Sequence, residues 1–150
     1  MSALSRSSIR KRLSEGELVV SPILNQDKQI GGSSIDLRMG TVALVSRAGV
    51  QSHIKPAEYT QKAKHAALEI RKQKHERFDI PFKDYFLLHP GSLILVPTYE
   101  WVSLPYNIQG IVTARSSWAR EGLNIATATI INPGYKGIIT LELANFVRYP

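Results

Sequence analysis

The stretch YFLLHPGSLILVPTYEWVSLP, residues 85–105, decides how the chain folds. Apolar runs flank a Pro90-Gly91 pair, which marks a tight turn, so the stretch reads as two strands around that turn and a third ending at Pro105. Downstream, NIQGIVT (107–113), LNIATATII (123–131) and GIITLELANF (137–146) are further β-rich runs, and NPGYKG (132–137) is the last clear turn. Upstream, GGSSIDLRMG (31–40) alternates Ile35, Leu37 and Met39 with Ser34, Asp36 and Arg38, the pattern of a half-buried strand bracketed by glycines. A helix is expected to start after Ser5 as cap, bury Ile9 and Leu13, and stop at Gly16, before ELVVSP (17–22). Closely spaced strands with one helix at the start predict a mainly β protein, an antiparallel barrel or jelly roll.

With 150 residues, 43% of them hydrophobic, the chain fits a single domain over residues 1–150. It contains no cysteine, which excludes disulfides and thiolate metal sites and fits a reducing compartment. His53, His65, His75 and His89 show no metal-ligand spacing. No apolar run approaches membrane-spanning length, and the N-terminus is too polar and acidic for a signal peptide. A soluble, cytoplasmic protein with no membrane partner is the expectation.

The formal charge is +7, and the segment His53–Arg77 holds seven Lys/Arg against three Glu, more than half of the excess. Its Ala, Gln, Lys and Glu content predicts a helical insertion at about 53–77, with a thin apolar stripe of Ala63, Ala66, Ala67 and Ile70. Such charge runs are most often solvated faces, so no nucleic-acid partner is expected.

The stretch ARSSWAREGL, 114–123, crowds two arginines and two serines where a β-rich run ends. Read as structure, Ser116 or Ser117 caps a short helix that ends at Gly122, and the arginines are solvated. Read as chemistry, hydroxyls and backbone N–H groups flanked by guanidiniums suit phosphate oxygens. The residues alone leave both readings open. In GIITLELANF, alternation puts Ile138, Thr140, Glu142 and Ala144 on one face and Ile139, Leu141, Leu143 and Asn145 on the other. A carboxylate within so apolar a strand needs a partner, and Arg115 and Arg120 are the candidates if its role is structural.

ARSSWAREGL followed by TATIINPGYKGIITLELANF (127–146) resembles the paired motifs of the trimeric dCTP deaminases, which share a fold with the trimeric dUTPases. LSRSSIRKRLSEGELVVSP (4–22), GGSSIDLRMG and FLLHPGSLILVPTYEWVSLP resemble the same family's opening helix, first strand motif and central hairpin, in order. The resemblance covers nearly the whole chain except the basic insertion. It implies a dUTPase-like barrel and the zinc-independent hydrolytic deamination of dCTP to dUTP and ammonia, with Mg2+ carried by the triphosphate. It also implies a homotrimer with sites between subunits.

By the same resemblance, Arg115, Ser116, Ser117 and Arg120 bind the nucleotide and its phosphates. Ser116 and Arg120 also steady the attacking water, and Glu142 is the proton shuttle. Thr140 and Leu141 face the base, Asn132 stands at the deoxyribose-contacting position, and Tyr135 matches an aromatic near the sugar. The other great class of cytosine deaminases needs a His-x-Glu and Pro-Cys-x-x-Cys zinc signature, which this chain lacks.

Several positions depart from the family pattern. Ala114 replaces a glycine, Ile130 a basic residue, and Asn132 an aspartate that orients the hydrolytic water in dUTPases. An amide cannot serve as a base, which argues against dUTP hydrolysis. The family pattern also continues past NFVRYP with a strand and a tail that closes over the triphosphate, so the chain reads as truncated or as a shortened member completed by a neighbour. Two alternatives therefore stand beside the deaminase: a catalytically weak nucleotide-binding or regulatory module, and a bifunctional dCTP deaminase/dUTPase.

Overall fold

The structure, a computed structural model, describes residues 2–46, 74–81, 83–125 and 128–149. Along the chain come α1 (Arg6–Ser14), β1 (Val19–Ser21), α2 (Gln26–Gln29), β2 (Val42–Ser46), β3 (His75–Asp79) and β4 (Leu93–Ser103). They are followed by β5 (Gly110–Ile111), α3 (Ser116–Arg120), β6 (Leu123–Ile125), β7 (Ile130–Ile131) and β8 (Lys136–Asn145). The Ser5 hydroxyl accepts the N–H of Ser8 to cap α1, Ile9 is buried, and Gly16, at φ 71°, lies just past the helix end.

Six strands form one antiparallel sheet in the order β3-β2-β4-β8-β6, with β1 on the same edge of β4 as β2 but further along it. The second sheet is the β5-β7 pair. The expected mainly β, antiparallel architecture is therefore the one observed. One face of the large sheet is the core: Ile94, Val96 and Val102 of β4 and Ile139, Leu141 and Leu143 of β8 form one buried cluster with Ala43 of β2, Val20 of β1 and Ile9 of α1.

The central stretch folds differently from its sequence reading. Residues 93–103 form one strand rather than two, and residues 83–89 are not a strand. The turn at Pro90-Gly91 is present, but what holds its first arm is the Asn145 side chain, which donates to the Leu88 carbonyl at 2.8 Å. Within β4 the register against β8 slips: between Pro97↔Thr140 and Trp101↔Ile138 the strand advances four residues while β8 advances two. Pro97 has no N–H to give a ladder, and a bulge is where such a residue is tolerated.

Thr98 stitches this bulge. Its hydroxyl accepts the Ile139 N–H at 3.1 Å and donates to the Glu100 carbonyl at 2.8 Å, both in the interior. Thr98→Val keeps the shape and orphans the Ile139 N–H, so a loss of about 1–3 kcal/mol is expected in chemical denaturation. Wild-type stability in that variant would mean that the hydroxyl does not hold the bulge.

Glu100 follows on the inward face, is fully buried, and organises the segment expected to be a strand at 31–40. Its carboxylate accepts the Arg38 N–H at 2.8 Å, the Arg38 Nε at 2.6 Å and the Gln29 amide at 3.4 Å. The GGSSIDLRMG segment is thus tied to a side chain rather than to a ladder, and it keeps only the isolated bridges Ile30↔Ile35 and Met39↔Thr98. Ile35 and Leu37 pack on the core as expected, whereas Met39 is exposed.

The insertion reading is corrected at its C-terminal end. His75, Glu76 and Arg77 pair with Ser46, Val45 and Leu44 as strand, because pairing along an open edge outweighs local helix propensity. Of the rest of the expected helix, Lys74 is helical and residues 53–73 lie outside the described residues. NIQGIVT supplies only the two-residue β5, and LNIATATII divides into β6 and β7 around residues 126–127, which are not described.

Candidate functional site

Helix α3 carries the crowded motif. The β5-β7 pairing continues through the Val112 N–H to the Thr129 carbonyl, and the chain then turns out of the sheet at Arg115, whose φ of −63° and ψ of 138° mark the N-cap. Neither serine caps the helix: Arg115 holds that position without a side-chain cap bond, and Ser116 and Ser117 are the first two helical residues. The capping role read for a serine is therefore not filled by either one. All five helical residues are exposed, including Trp118.

With no buried residue, α3 is held by its ends. At its start the Arg115 guanidinium pairs with the Asp36 carboxylate at 2.7 Å. At its end Gly122, at φ 87°, accepts the Phe146 N–H, and a Cβ there would lie 2.2 Å from the Val147 side chain. Between helix and sheet opens a cavity of about 400 Å3, lined by Val112, Ala114, Ala119, Leu123, Ile125 and Phe146 among others.

On β8 the core face takes Ile139, Leu141 and Leu143, so Glu142 is half-buried on the opposite face together with exposed Thr140 and Ile138. The strand is apolar, but its carboxylate is not in the core. Arg115, one of its two sequence-level structural partners, is engaged by Asp36 instead. Leu141 points into the core, which leaves only its main chain for a ligand.

Backbone direction adds a second feature. In an antiparallel strand the N–H and C=O of one residue point to the same side. Ile139 and Asn145 direct theirs at β4 and its preceding turn, so the main chains of Thr140 and Glu142 point the other way. Among the described residues, β6 covers that edge only from Leu143 to Asn145. Thr140 therefore presents a donor and an acceptor where no described strand lies.

Asn132 and Tyr135 share the turn after β7, closed by the Tyr135 N–H to the Asn132 carbonyl. Gly134 takes φ 77° there, and a Cβ on it would lie 2.5 Å from the Tyr106 ring. Tyr135 is partly buried against the core and its hydroxyl donates to the Ile138 carbonyl at 2.7 Å, while Asn132 is exposed.

The predicted residues thus form three groups rather than one. Leu123, just past α3, pairs with Asn145; Glu142 lies roughly 10 Å further along β8, and the Asn132–Tyr135 turn beyond the far end of a strand roughly 30 Å long. Sequence reasoning missed Asp36 and Glu100. For Glu100 a signal existed, since it shares the even-numbered inward face of Ile94, Val96 and Val102. For Asp36 there was none: its partner is 79 residues away. Among the described residues no three His, Cys, Asp or Glu side chains cluster to hold a metal ion.

Residues 3–150 match the family model described as dCTP deaminase-like. A dCTP deaminase, dUMP-forming, of Dictyoglomus thermophilum is 38% identical over 148 residues, covering 98% of this chain and 71% of that protein. One of the same description from Methanosphaera stadtmanae is 36% identical, covering 100% and 72%. A dCTP deaminase of Halorubrum lacusprofundi is 38% identical, covering 98% and 68%. The crystal structure of 2'-deoxycytidine 5'-triphosphate deaminase from Agrobacterium tumefaciens superposes with a TM-score of 0.67 at 23% identity, over 95% of this chain and 41% of that one. That likeness is one of fold.

Proposed function

The chain belongs to the dCTP deaminase-like family, and from that premise we propose that it hydrolyses the cytosine amine of dCTP, giving dUTP and ammonia. The observation that carries the reading is on β8, where the Glu142 carboxylate stands on the non-core face two residues from a main-chain donor and acceptor at Thr140. Those Thr140 groups suit the polar edge of a pyrimidine. Glu142 takes a proton from water as the water oxygen bonds to C4, and delivers it towards N3 and the departing ammonia as the C4–N4 bond breaks. Ser116 and Arg120 hold the water, while Arg115 and Ser117 bind phosphate oxygens. Asn132 and Tyr135 flank the sugar.

We place the complete site between subunits of a homotrimer, α3 of one subunit against Glu142 of the next. The separation of the three groups along β8 supports this, as does an α3 with no buried residue. So does the non-core face, where Leu93, Tyr99, Trp101 and Ile138 stand exposed. Mg2+ enters with the triphosphate, whose oxygens are its natural hard ligands. No helix among the described residues is long and apolar enough to cross a membrane, and a cytoplasmic location accords with a chain without cysteine.

Chromatography of a reaction with dCTP and Mg2+, with light scattering of the protein, tests both statements. The expected products are dUTP and ammonia from a trimer. A stable monomer with full activity would defeat the shared site, and dCTP that binds unchanged would mean a regulatory module. Formation of dUMP with pyrophosphate is the second reading, favoured by the description of the Dictyoglomus and Methanosphaera relatives and opposed by Asn132, whose amide cannot act as a base.

A further inference from the structure

We infer that Asp36 is a positioning residue, which holds the Arg115 guanidinium in the orientation that receives a nucleotide phosphate. The inference rests on the reading of Arg115 as a phosphate ligand. Among the described residues Asp36 is the partner that fixes the Arg115 side chain, which is 65% exposed and opens a helix without a buried residue. An unrestrained arginine there would spread its charge over many rotamers. Asp36 supplies the restraint at 2.7 Å through one terminal nitrogen, which leaves the remaining guanidinium donors for an anion.

Asp36 is itself unusually well held. Its N–H donates to the Gln29 carbonyl at 2.8 Å, and its own carbonyl accepts the Gln29 amide at 3.4 Å. The Gln29 side-chain oxygen in turn accepts the Leu24 and Asn25 N–H groups, and its amide also reaches Glu100. Two residues on, Arg38 is clamped by the two oxygens of Glu100 and donates to the Pro22 carbonyl at 3.0 Å. The carboxylate therefore projects from a segment tied to the buried centre of the fold, and through it α3 is referenced to that centre. A half-exposed ion pair adds little to stability, so the pair's value lies in orientation.

A double-mutant cycle on dCTP kinetics, with Asp36→Ala, Asp36→Asn, Arg115→Ala and the Asp36→Ala/Arg115→Ala pair, tests this. The expected result is a KM raised about three- to tenfold in Asp36→Ala with kcat lowered less, the split of a lost binding interaction. Asp36→Asn keeps a hydrogen-bond acceptor and should recover part of the KM, and it serves if the alanine variant folds poorly. In the Arg115→Ala background the Asp36 substitution should change KM no further. An equal KM effect with and without Arg115 would overturn the inference, as would a lowered melting temperature with KM unmoved. If Arg115→Ala itself leaves KM unchanged, the phosphate-ligand reading fails, and the inference with it.

Discussion

Glu142→Gln is expected to lower dCTP turnover by about 10²–10⁴-fold while dCTP binding is largely kept. The glutamine retains the size and an oxygen acceptor and removes the group able to take a proton from water. Because Glu142 is half-buried on the non-core face of β8, opposite Leu95, the substitution disturbs no core packing. A fall in activity can then be assigned to chemistry rather than to unfolding, provided that equilibrium binding of dCTP is measured on the same variant. Undiminished turnover in Glu142→Gln would remove the proton shuttle from the mechanism even if dUTP were the product. Arg120→Ala should weaken both binding and turnover, since it deletes a charged contact worth about 1.5–3 kcal/mol.

The second large effect is on stability. Glu100→Ala should cost about 3 kcal/mol, because it empties a fully buried site and strands the Arg38 N–H and the Gln29 amide that its carboxylate accepts. The Arg38 side chain is 36% exposed and its guanidinium stacks 4.8 Å over the Tyr99 ring, so it can turn to water and the loss stays below that of a fully enclosed pair. Glu100→Gln, which keeps the size and one acceptor, should lose markedly less. Urea denaturation of the two variants against wild type measures this, and equal stability of Glu100→Ala and wild type would show that the network is not what holds the 31–40 segment.

How much of this was legible in the sequence varied with the range of the interactions. The cap and stop of α1 were, since Ser5 and Gly16 act within one turn of the helix. The period-2 pattern of β8 was legible as well, though not which of its faces is the core. The extent of β4 was not, because a register slip between Pro97 and Trp101 depends on the partner strand. Nor was the irregular course of GGSSIDLRMG, whose alternation is that of a strand but whose Arg38 N–H goes to a carboxylate more than sixty residues away.

What the sequence determined by itself was the class of molecule and its chemical inventory: a cysteine-free, mainly β chain with the Arg115, Ser116, Ser117, Arg120 and Glu142 of the dCTP deaminase motifs. Those follow from residue identity and short spacing, which local propensity and turn chemistry read directly. Only the tertiary structure decided which side chains face which partner. It put Glu142 outside the core, gave Arg115 rather than a serine the N-cap, joined Arg115 to Asp36, and buried Glu100 under Arg38. Each of these depends on packing between segments distant in the chain, where the energy of burying or pairing a charge outweighs any local preference.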